Sequence, residues 1–369
     1  MTSPGGIPQW QSVTLTGLRE PFGVGLVSAH GQAVEAQRFT PQEIARVLGF
    51  YDLGQVRSAR QLLRGTPDAP KAVIESDRGK FLLKRRAPGH DDPLAVAAGH
   101  TALLHVIERG FPAPGLIGTR EDNNSMLQIG RQVYELFEFI EGAPSDGSVE
   151  QCRQAGEALA ALHGMLATCH PRFEAPVGSY HASPAIEARL ERLCRREGRA
   201  WARLGEALLE QYRRAADEAE HHGFAGLSRQ LTHADWHPGN LLFRDGKLVA
   251  VVDFESPRIA PRIVDAASGA LQFALVIVAG GMPTVDARHA EVFLEGYRSD
   301  PRGGILPMEG RMLGPLTVEA LIGEAVLPIE ATGRFGPWEG RAFLEHVLTV
   351  IPEVHRVMLE AAGVQAVWR

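Results

Sequence analysis

Strand-like alternation of apolar and polar residues is concentrated in one early region of the chain. Four segments there carry strand patterns, and they are Lys71–Ser76, Lys80–Arg85, Met126–Ile129 and Gln132–Ile140. The turn Asp77-Arg78-Gly79 separates the first two, and the helical pattern Pro93–Arg109 separates the second pair from the first. These patterns predict a mostly antiparallel sheet with one inserted helix, spanning about residues 50–141.

Helical spacing dominates after the turn Glu141-Gly142-Ala143-Pro144. Val149–Leu166 carries its apolar residues on one stripe, and Ala185–His222 predicts one or two long, charged helices. Leu231–Val252 interrupts the helices with short strands and turns, and from Asp265 onward the chain is again mainly helical. A sheet lobe, a tight connector and a helical lobe predict an α+β fold with a cleft between the lobes.

The first 36 residues are rich in Gly, Pro and Ser and lack sustained periodicity, which predicts a partly flexible extension. Thr40-Pro41 followed by Glu43 has the pattern of a capped helix start. We therefore divide the chain into an extension (1–36), a sheet lobe (37–141) and a helical lobe (142–369).

Composition narrows the class of protein. The chain has 369 residues, 44% of them hydrophobic, and a net charge of -6, which gives no electrostatic case for nucleic acid or an anionic membrane. Its three cysteines, Cys152, Cys169 and Cys194, show no metal-ligand or disulfide spacing. The first residues carry no signal-peptide pattern, and the apolar run Phe273–Ala279 is too short to span a bilayer. We expect a cytoplasmic protein with no membrane partner.

One segment carries the groups that phosphoryl transfer needs. Asp235 and Asn240 stand five positions apart, and the apolar strand that follows ends at Asp253. A carboxylate can orient an attacking hydroxyl and accept its proton, while an amide oxygen and a second carboxylate can hold Mg²⁺ on phosphates.

These residues resemble a known family. His233-x-Asp235-x-His237-x-x-Asn240, followed by Val252-Asp253-Phe254-Glu255, resembles the aminoglycoside phosphotransferase and choline kinase group, which also includes type II homoserine kinases and spore-coat-type kinase homologues. The resemblance implies a protein-kinase-like two-lobed fold, with a small sheet lobe that binds ATP and a larger helical lobe that contains the catalytic loop and the substrate pocket.

The resemblance also implies roles within the catalytic segment. Asp235 would be the catalytic base, and Asn240 and Asp253 would be the metal ligands. The supporting residues would be His233, Asp265 and Glu255.

The sheet lobe supplies the nucleotide site in this family. Lys84, at the end of its strand, is the candidate for holding the ATP phosphates. The loop 63–70 would cover the nucleotide, with Gly65 and Thr66 assigned to cofactor binding, although it lacks G-x-G-x-x-G. The connector between the lobes, Phe137–Gly142, resembles the family hinge, so the backbones of Glu138 and Ile140 would bind adenine.

One departure concerns the inserted helix, which in this family usually offers a glutamate to the strand lysine. No carboxylate occurs between Leu94 and Ile107, and His100 stands about where the acid is expected. A neutral His100 imidazole could accept a hydrogen bond from Lys84, and Asp91 or Asp92 could take the place of the acid.

We therefore expect an ATP- and Mg²⁺-dependent phosphotransferase acting on a hydroxyl of a small-molecule metabolite. Three alternatives stay open: a protein Ser/Thr kinase of the same fold, a pseudokinase-type nucleotide-binding module, and a metal-dependent hydrolase using His233, Asp235 and His237. The protein kinase alternative is disfavoured because no Ala-Pro-Glu signature follows Asp253. Three acids of the helical lobe could meet a cationic acceptor, namely Glu319, Glu324 and Glu330.

Overall fold

The architecture is taken from a computed structural model of the chain. It describes residues 20–21, 37–62, 68–196, 198–255, 257–277, 281–300 and 304–364.

Helices and short strands alternate along the described chain. The strands are β1 (Glu20–Pro21), β2 (Val56–Leu62), β3 (Lys71–Ser76), β4 (Gly79–Arg85), β5 (Leu127–Ile129), β6 (Gln132–Glu138), β7 (Ala143–Pro144), β8 (Gln230–Thr232), β9 (Leu241–Arg244), β10 (Lys247–Val251), β11 (Arg258–Ala260), β12 (Leu275–Ile277), β13 (Pro283–Val285), β14 (Arg334–Phe335) and β15 (Trp338–Glu339). The helices are α1 (Pro41–Leu48), α2 (Pro93–Ile107), α3 (Val149–Leu166), α4 (Pro184–Cys194), α5 (Arg199–His221), α6 (Ile263–Ala274), α7 (Ala287–Ser299), α8 (Pro307–Thr332) and α9 (Gly340–Ala361).

A five-stranded antiparallel sheet has the order β2-β3-β4-β6-β5. Side chains alternate between its two faces because successive residues of a strand point to opposite sides. One face packs its apolar residues, such as Ile74 and Leu83, against α1 through Val47. The opposite face therefore presents Lys71, Lys84 and Glu135, which are cross-strand neighbours in a row.

The helices form two further cores. One lies beneath the catalytic segment and joins α3, α6 and α7 with Trp236 and Phe254. The other joins α4, α5, α8 and α9. The short sheet β10-β9-β7 ties the connector after β6 to the catalytic segment, because β7 pairs with Leu242 and Phe243 of β9. The connector and the catalytic loop are thus held in one fixed arrangement.

The structure confirms the α+β, protein-kinase-like organisation predicted from the sequence. The predicted segments Lys71–Ser76 and Val149–Leu166 are a strand and a helix with those same limits. Thr40 caps α1, with its Oγ1 accepting from the Glu43 amide at 3.1 Å. The region 185–222 contains two helices.

Two elements differ from the predicted pattern. Strand β2 had no recognisable alternation, because five of its seven residues face solvent at the sheet edge. In the N-terminal extension, Glu20–Pro21 pairs with Val276 and Ile277 as a strand; the rest of residues 1–36 lies outside the described residues.

Helix α8 is a longer apolar segment than the run 273–279. Its 26 residues are long and apolar enough by composition to cross a bilayer. Within the fold, however, 83% of the apolar window is buried inside the protein, against α4, α5, α6 and α9. The apolar character of α8 is therefore accounted for by core packing.

Candidate active site

The catalytic loop is fixed by one buried carboxylate. Asp265, in the first turn of α6, accepts hydrogen bonds from the amides of His233 (2.7 Å) and Ala234 (3.0 Å). Ala234 has a φ of 61°, in the left-handed region that costs an L-residue about 1–2 kcal/mol. Two charge-assisted bonds are enough to offset that cost. Asp265 therefore holds the backbone turn that presents Asp235.

Asp235 has a side chain that is 47% exposed. Asn240 Nδ2 donates to its Oδ2 at 2.9 Å and to its backbone oxygen at 3.0 Å. His237 Nε2 lies 3.6 Å from Asp235 Oδ1. Loss of hydration raises the pKa of Asp235, but the interaction with His237 outweighs it and holds the pKa below its ordinary value. The carboxylate is thus ionised at neutral pH and able to accept a proton.

His237 is oriented by its own turn. Its Nδ1 accepts from the Gly239 amide at 3.0 Å, so a neutral ring carries its proton on Nε2, which faces Asp235. A Cβ at Gly239 would come within 2.7 Å of the imidazole. Glycine is therefore required for the ring to lie against the loop.

His233 is packed as a core residue. Its ring contacts Trp236 and Phe254 edge-to-face, at centroid distances of 5.5 and 4.9 Å. Within the described residues neither ring nitrogen has a hydrogen-bond partner, and burial lowers the pKa of the imidazole. The neutral ring fills the space beneath the loop.

Two lysines converge on Asp253. Lys84 Nζ lies 2.7 Å from Asp253 Oδ1 and also pairs with Glu255, while Lys71 Nζ lies 3.7 Å from Asp253 Oδ2. Burial raises the pKa of Asp253, but the charges of Lys84 and Lys71 outweigh it and hold the pKa far below its ordinary value. Burial lowers the pKa of Lys84 to about 8. Asp253 has a φ of 70°, so its backbone too adopts the left-handed region.

A buried ion network lies beside Lys84. Glu135 accepts from Arg86 Nε at 2.7 Å and from Arg86 Nη2 at 2.6 Å, and His100 Nε2 lies 2.5 Å from the same carboxylate. The other ring nitrogen of His100 contacts Ser125 Oγ at 2.7 Å. The expectation that His100 accepts from Lys84 is therefore wrong, because Glu135 and Ser125 occupy both ring nitrogens.

The two aspartates considered in place of a helix acid have local roles. Asp92 caps α2 by accepting from the amides of Leu94 and Ala95. Asp91 accepts from the Gly89 amide at 3.0 Å. Both therefore serve the start of α2.

The connector lies at the end of β6. Phe139 donates its amide to Lys80 of β4 at 3.0 Å, and the Glu138 amide donates to Gly115 at 2.8 Å. Because backbone groups alternate along an extended strand, the Glu138 carbonyl and the Ile140 amide point to the side away from β4. Gly65 and Thr66, assigned to cofactor binding from the sequence, lie outside the described residues.

The three acids considered for a cationic acceptor have different surroundings. Glu319 is buried, with His181 Nδ1 at 2.7 Å, and Glu330 pairs with arginines of α4. Glu324 of α8 is exposed, and its charge interacts with those of Asp235 and His237 in the catalytic loop. Loss of hydration raises the pKa of Glu324 to about 7, and the charge of Asp235 adds to the rise. Of the three acids, Glu324 is the exposed one that interacts with the catalytic loop.

The oxygen donors suit a hard divalent cation. Asn240 uses its Nδ2 for hydrogen bonds, which leaves its amide oxygen free to bind a cation. Asp253 offers a carboxylate that Lys84 and Lys71 contact. Amide and carboxylate oxygens are the ligands of Mg²⁺. Across the described ranges, no group of three or more His, Cys, Asp and Glu side chains is arranged to hold a metal ion. His233, Asp235 and His237, considered for a hydrolase, therefore do not form such a group.

A comparison with protein-family models identifies the family of the chain. The family model "Phosphotransferase enzyme family" (APH) matches residues 59–304, about two thirds of the chain. The chain belongs to this phosphotransferase family.

The curated relatives of this phosphotransferase include homoserine kinases. That of Caulobacter sp. (strain K31) is 27% identical over 235 residues, a match covering 58% of this chain and 64% of the relative. The homoserine kinase of Phenylobacterium zucineum (strain HLK1) is 26% identical over 219 residues, with the same coverage. The match thus spans less than two thirds of those relatives' length.

Solved structures show the same fold. An aminoglycoside phosphotransferase from Alicyclobacillus acidocaldarius superposes with a TM-score of 0.60 at 18% identity, covering 88% of this chain and 96% of that one. The amicoumacin kinase hAmiN, solved with AMP-PNP, Ca²⁺ and Ami, superposes with a TM-score of 0.66 at 12% identity, covering 85% and 94%.

Three residues of this phosphotransferase site escaped the sequence reasoning. They are Lys71, Arg86 and Glu135. The sequence contained a signal for Lys71, because the chain has only four lysines and Lys71 begins the strand whose hairpin partner carries Lys84. Glu135 offered a weaker signal, as an acid within the otherwise apolar strand 133–137.

Proposed function

We propose that this phosphotransferase moves the γ-phosphoryl group of ATP, with Mg²⁺, to a hydroxyl of a small-molecule metabolite in the cytoplasm. The observation that carries the proposal is the convergence of Lys84 and Lys71 on Asp253, next to a catalytic loop that presents Asp235. The free thiols of Cys152, Cys169 and Cys194 support a reducing compartment.

Each group would have a defined task. Lys84 and Lys71 would bind phosphate oxygens, and the Glu138 carbonyl and the Ile140 amide would bind the adenine edge. Asp235 would orient the acceptor hydroxyl and take its proton as the acceptor oxygen bonds to the γ-phosphorus and ADP leaves. Positioning and charge stabilisation supply most of the catalysis in such transfers.

Asn240 and Asp253 would hold the magnesium ion, which would supply positive charge to the phosphates. Asp253 is already surrounded by cations, so its carboxylate is ionised and prepared to exchange a lysine for the metal. Glu255 shares Lys84 with Asp253 and would keep that lysine near the site during the exchange.

Glu324 supports an acceptor that carries an amine. The named substrates of two similar proteins, homoserine and aminopropanol, combine an amine with a hydroxyl. The charges of Glu324 and Asp235 interact, so an acceptor with its hydroxyl at Asp235 could place its cation at Glu324. A bound ammonium would favour the ionised carboxylate, because an opposite charge lowers a carboxyl pKa.

Two alternatives make different predictions. A protein Ser/Thr kinase would label proteins of an extract and leave small molecules unlabelled. A pseudokinase module would bind nucleotide without transfer. The ionised Asp235 and the donor pair Asn240 and Asp253 favour an active enzyme.

Thermal unfolding with ATP, with and without Mg²⁺, tests the nucleotide site. ATP at about 100 times its dissociation constant adds about 2.7 kcal/mol to the free energy of unfolding. We expect a Mg²⁺-dependent rise in the melting temperature that is reduced in Asp253→Asn. The matched control is Asp245→Asn, an exposed acid in the turn between β9 and β10. No rise in the wild type at millimolar ATP would contradict the proposal.

A further inference from the structure

A buried carboxylate lies next to Lys84 on the sheet and is supplied by a strand. Glu135 of β6 is the direct cross-strand neighbour of Lys84 of β4, on the face opposite α1. Its side chain has no exposure, and its charge acts on Lys84. A buried carboxylate costs several kcal/mol of hydration free energy unless it is paired, so its partners are informative.

Those partners come from two other elements. Arg86, which follows β4, donates hydrogen bonds to the Glu135 carboxylate from Nε at 2.7 Å and from Nη2 at 2.6 Å. His100 Nε2 of α2 lies 2.5 Å from the same carboxylate. Burial would raise the pKa of Glu135, but His100 and Arg86 hold it at about 2. The ionised carboxylate therefore links the strand that carries Lys84 to helix α2.

The network also reaches the segment after Asp253. Arg86 Nη1 lies 3.5 Å from the Glu255 carbonyl and 3.9 Å from Glu255 Oε2. Helix α2 lies against the same segment, because a Cβ at Gly99 would come within 2.8 Å of the Phe254 carbonyl. Glu135 thus connects β4, β6, α2 and the segment Asp253–Glu255.

We propose that Glu135 is a positioning residue for the phosphotransfer site, acting through Arg86 and His100 to hold Lys84, α2 and the Asp253–Glu255 segment in their working arrangement. The inference rests on the proposed function. When phosphates and metal engage Lys84 and Asp253, those two groups no longer neutralise one another. Glu135 then stays as the fixed counter-charge of the cluster, because its partners Arg86 and His100 are themselves buried.

The direction in which ATP affinity changes in Glu135→Gln distinguishes a positioning role from a purely electrostatic effect of the carboxylate. Coulomb's law alone predicts that Glu135→Gln binds ATP more tightly, because a negative charge beside the phosphates is removed. Positioning predicts weaker binding, because Arg86 is freed to compete with Lys84 for Glu255. We expect the ATP dissociation constant to rise about tenfold, equivalent to about 1.4 kcal/mol, while the adenosine dissociation constant stays unchanged.

The deciding variant moves the carboxylate from the strand to the helix. In Glu135→Gln combined with His100→Glu, an acid approaches Arg86 from α2. We expect this double variant to recover most of the ATP affinity and most of kcat. The matched control is Glu75→Gln, which removes a partly exposed acid from the same face of the sheet and is expected to leave the ratio of ATP to adenosine affinity unchanged.

Each outcome decides the proposal. Weaker ATP binding in Glu135→Gln with restoration in the double variant supports it. Unchanged or tighter ATP binding in a folded Glu135→Gln protein overturns it, as does an equal loss of ATP and adenosine affinity. If Glu135→Gln fails to fold, the double variant alone decides: wild-type ATP affinity supports the proposal, and weak binding or failure to fold overturns it. A wild-type protein that binds no ATP would instead overturn the proposed function.

Discussion

Replacing Asp265 by asparagine isolates the anchor of the catalytic loop. The carboxylate accepts from the His233 and Ala234 amides at 2.7 and 3.0 Å and is buried. Asparagine keeps one acceptor oxygen but turns the other position into a donor that faces a backbone amide. The loop then loses about one charge-assisted bond and leaves one buried N–H unsatisfied.

The magnitude follows from these contacts. A hydrogen bond to a charged group contributes about 1.5–3 kcal/mol, and we expect the free energy of unfolding to fall by about 2–4 kcal/mol. At about 2 °C per kcal/mol, the melting temperature should fall by about 4–8 °C. The left-handed φ of Ala234 is then no longer held, so Asp235 shifts and kcat should fall by at least about a hundredfold.

Calorimetry and steady-state kinetics on the same preparations test this expectation. The KM for ATP should change little, because Lys84 and the connector belong to other elements. The control is Asp286→Asn, a helix-capping acid of α7 that is remote from the catalytic loop in sequence. An Asp265→Asn enzyme with wild-type kcat would refute the role assigned to Asp265, whatever its melting temperature.

Three further substitutions test the nucleotide site, the acceptor site and a buried histidine. Lys71→Met should weaken ATP binding about tenfold, because one charge-assisted contact is lost, and should leave adenosine binding unchanged. The control is Lys247→Met, which replaces an exposed lysine of β10, and an equal loss of ATP affinity in this variant would contradict the role of Lys71. Glu324→Gln should raise the KM of an amine-bearing acceptor several-fold and leave the KM for ATP unchanged; calorimetric titration of acceptor analogues with and without the amine checks this. Burial lowers the pKa of His181, but the interaction with Glu319 outweighs burial and raises the pKa above 6.5. Protonated His181 therefore stabilises the fold fully below about pH 6.5, and this stabilisation is lost as the pH rises through the raised pKa. The difference in melting temperature between wild type and His181→Gln should therefore become smaller from pH 6 to pH 9. A difference that grows over this range would contradict the raised pKa of His181.

The sequence predicted those features whose signal is local. The capping box at Thr40 and the apolar stripe of α3 depend on residues within a few positions of each other, and both helices form where expected. The catalytic segment was readable for the same reason, because five positions separate Asp235 from Asn240 and one short hairpin separates Asn240 from Asp253.

Features that depend on packing between distant segments were not predicted. The contact of His100 with Glu135 requires α2 to lie against β6, 35 positions later in the chain. Lys71 approaches Asp253 only because the β3–β4 register places it beside Lys84. Periodicity defines each of these elements but carries no information on how they dock, so the ion network could be seen only in the folded chain.

The most direct test of the central claim is transfer of labelled phosphate from [γ-³²P]ATP to a panel of small amino alcohols and other hydroxyl metabolites, with wild type and Asp235→Asn side by side. We expect a labelled small molecule with the wild type and Mg²⁺, and a loss of labelling of at least about a thousandfold in the variant, which still binds ATP. Equal labelling by both proteins, or label that appears only on protein, would contradict it.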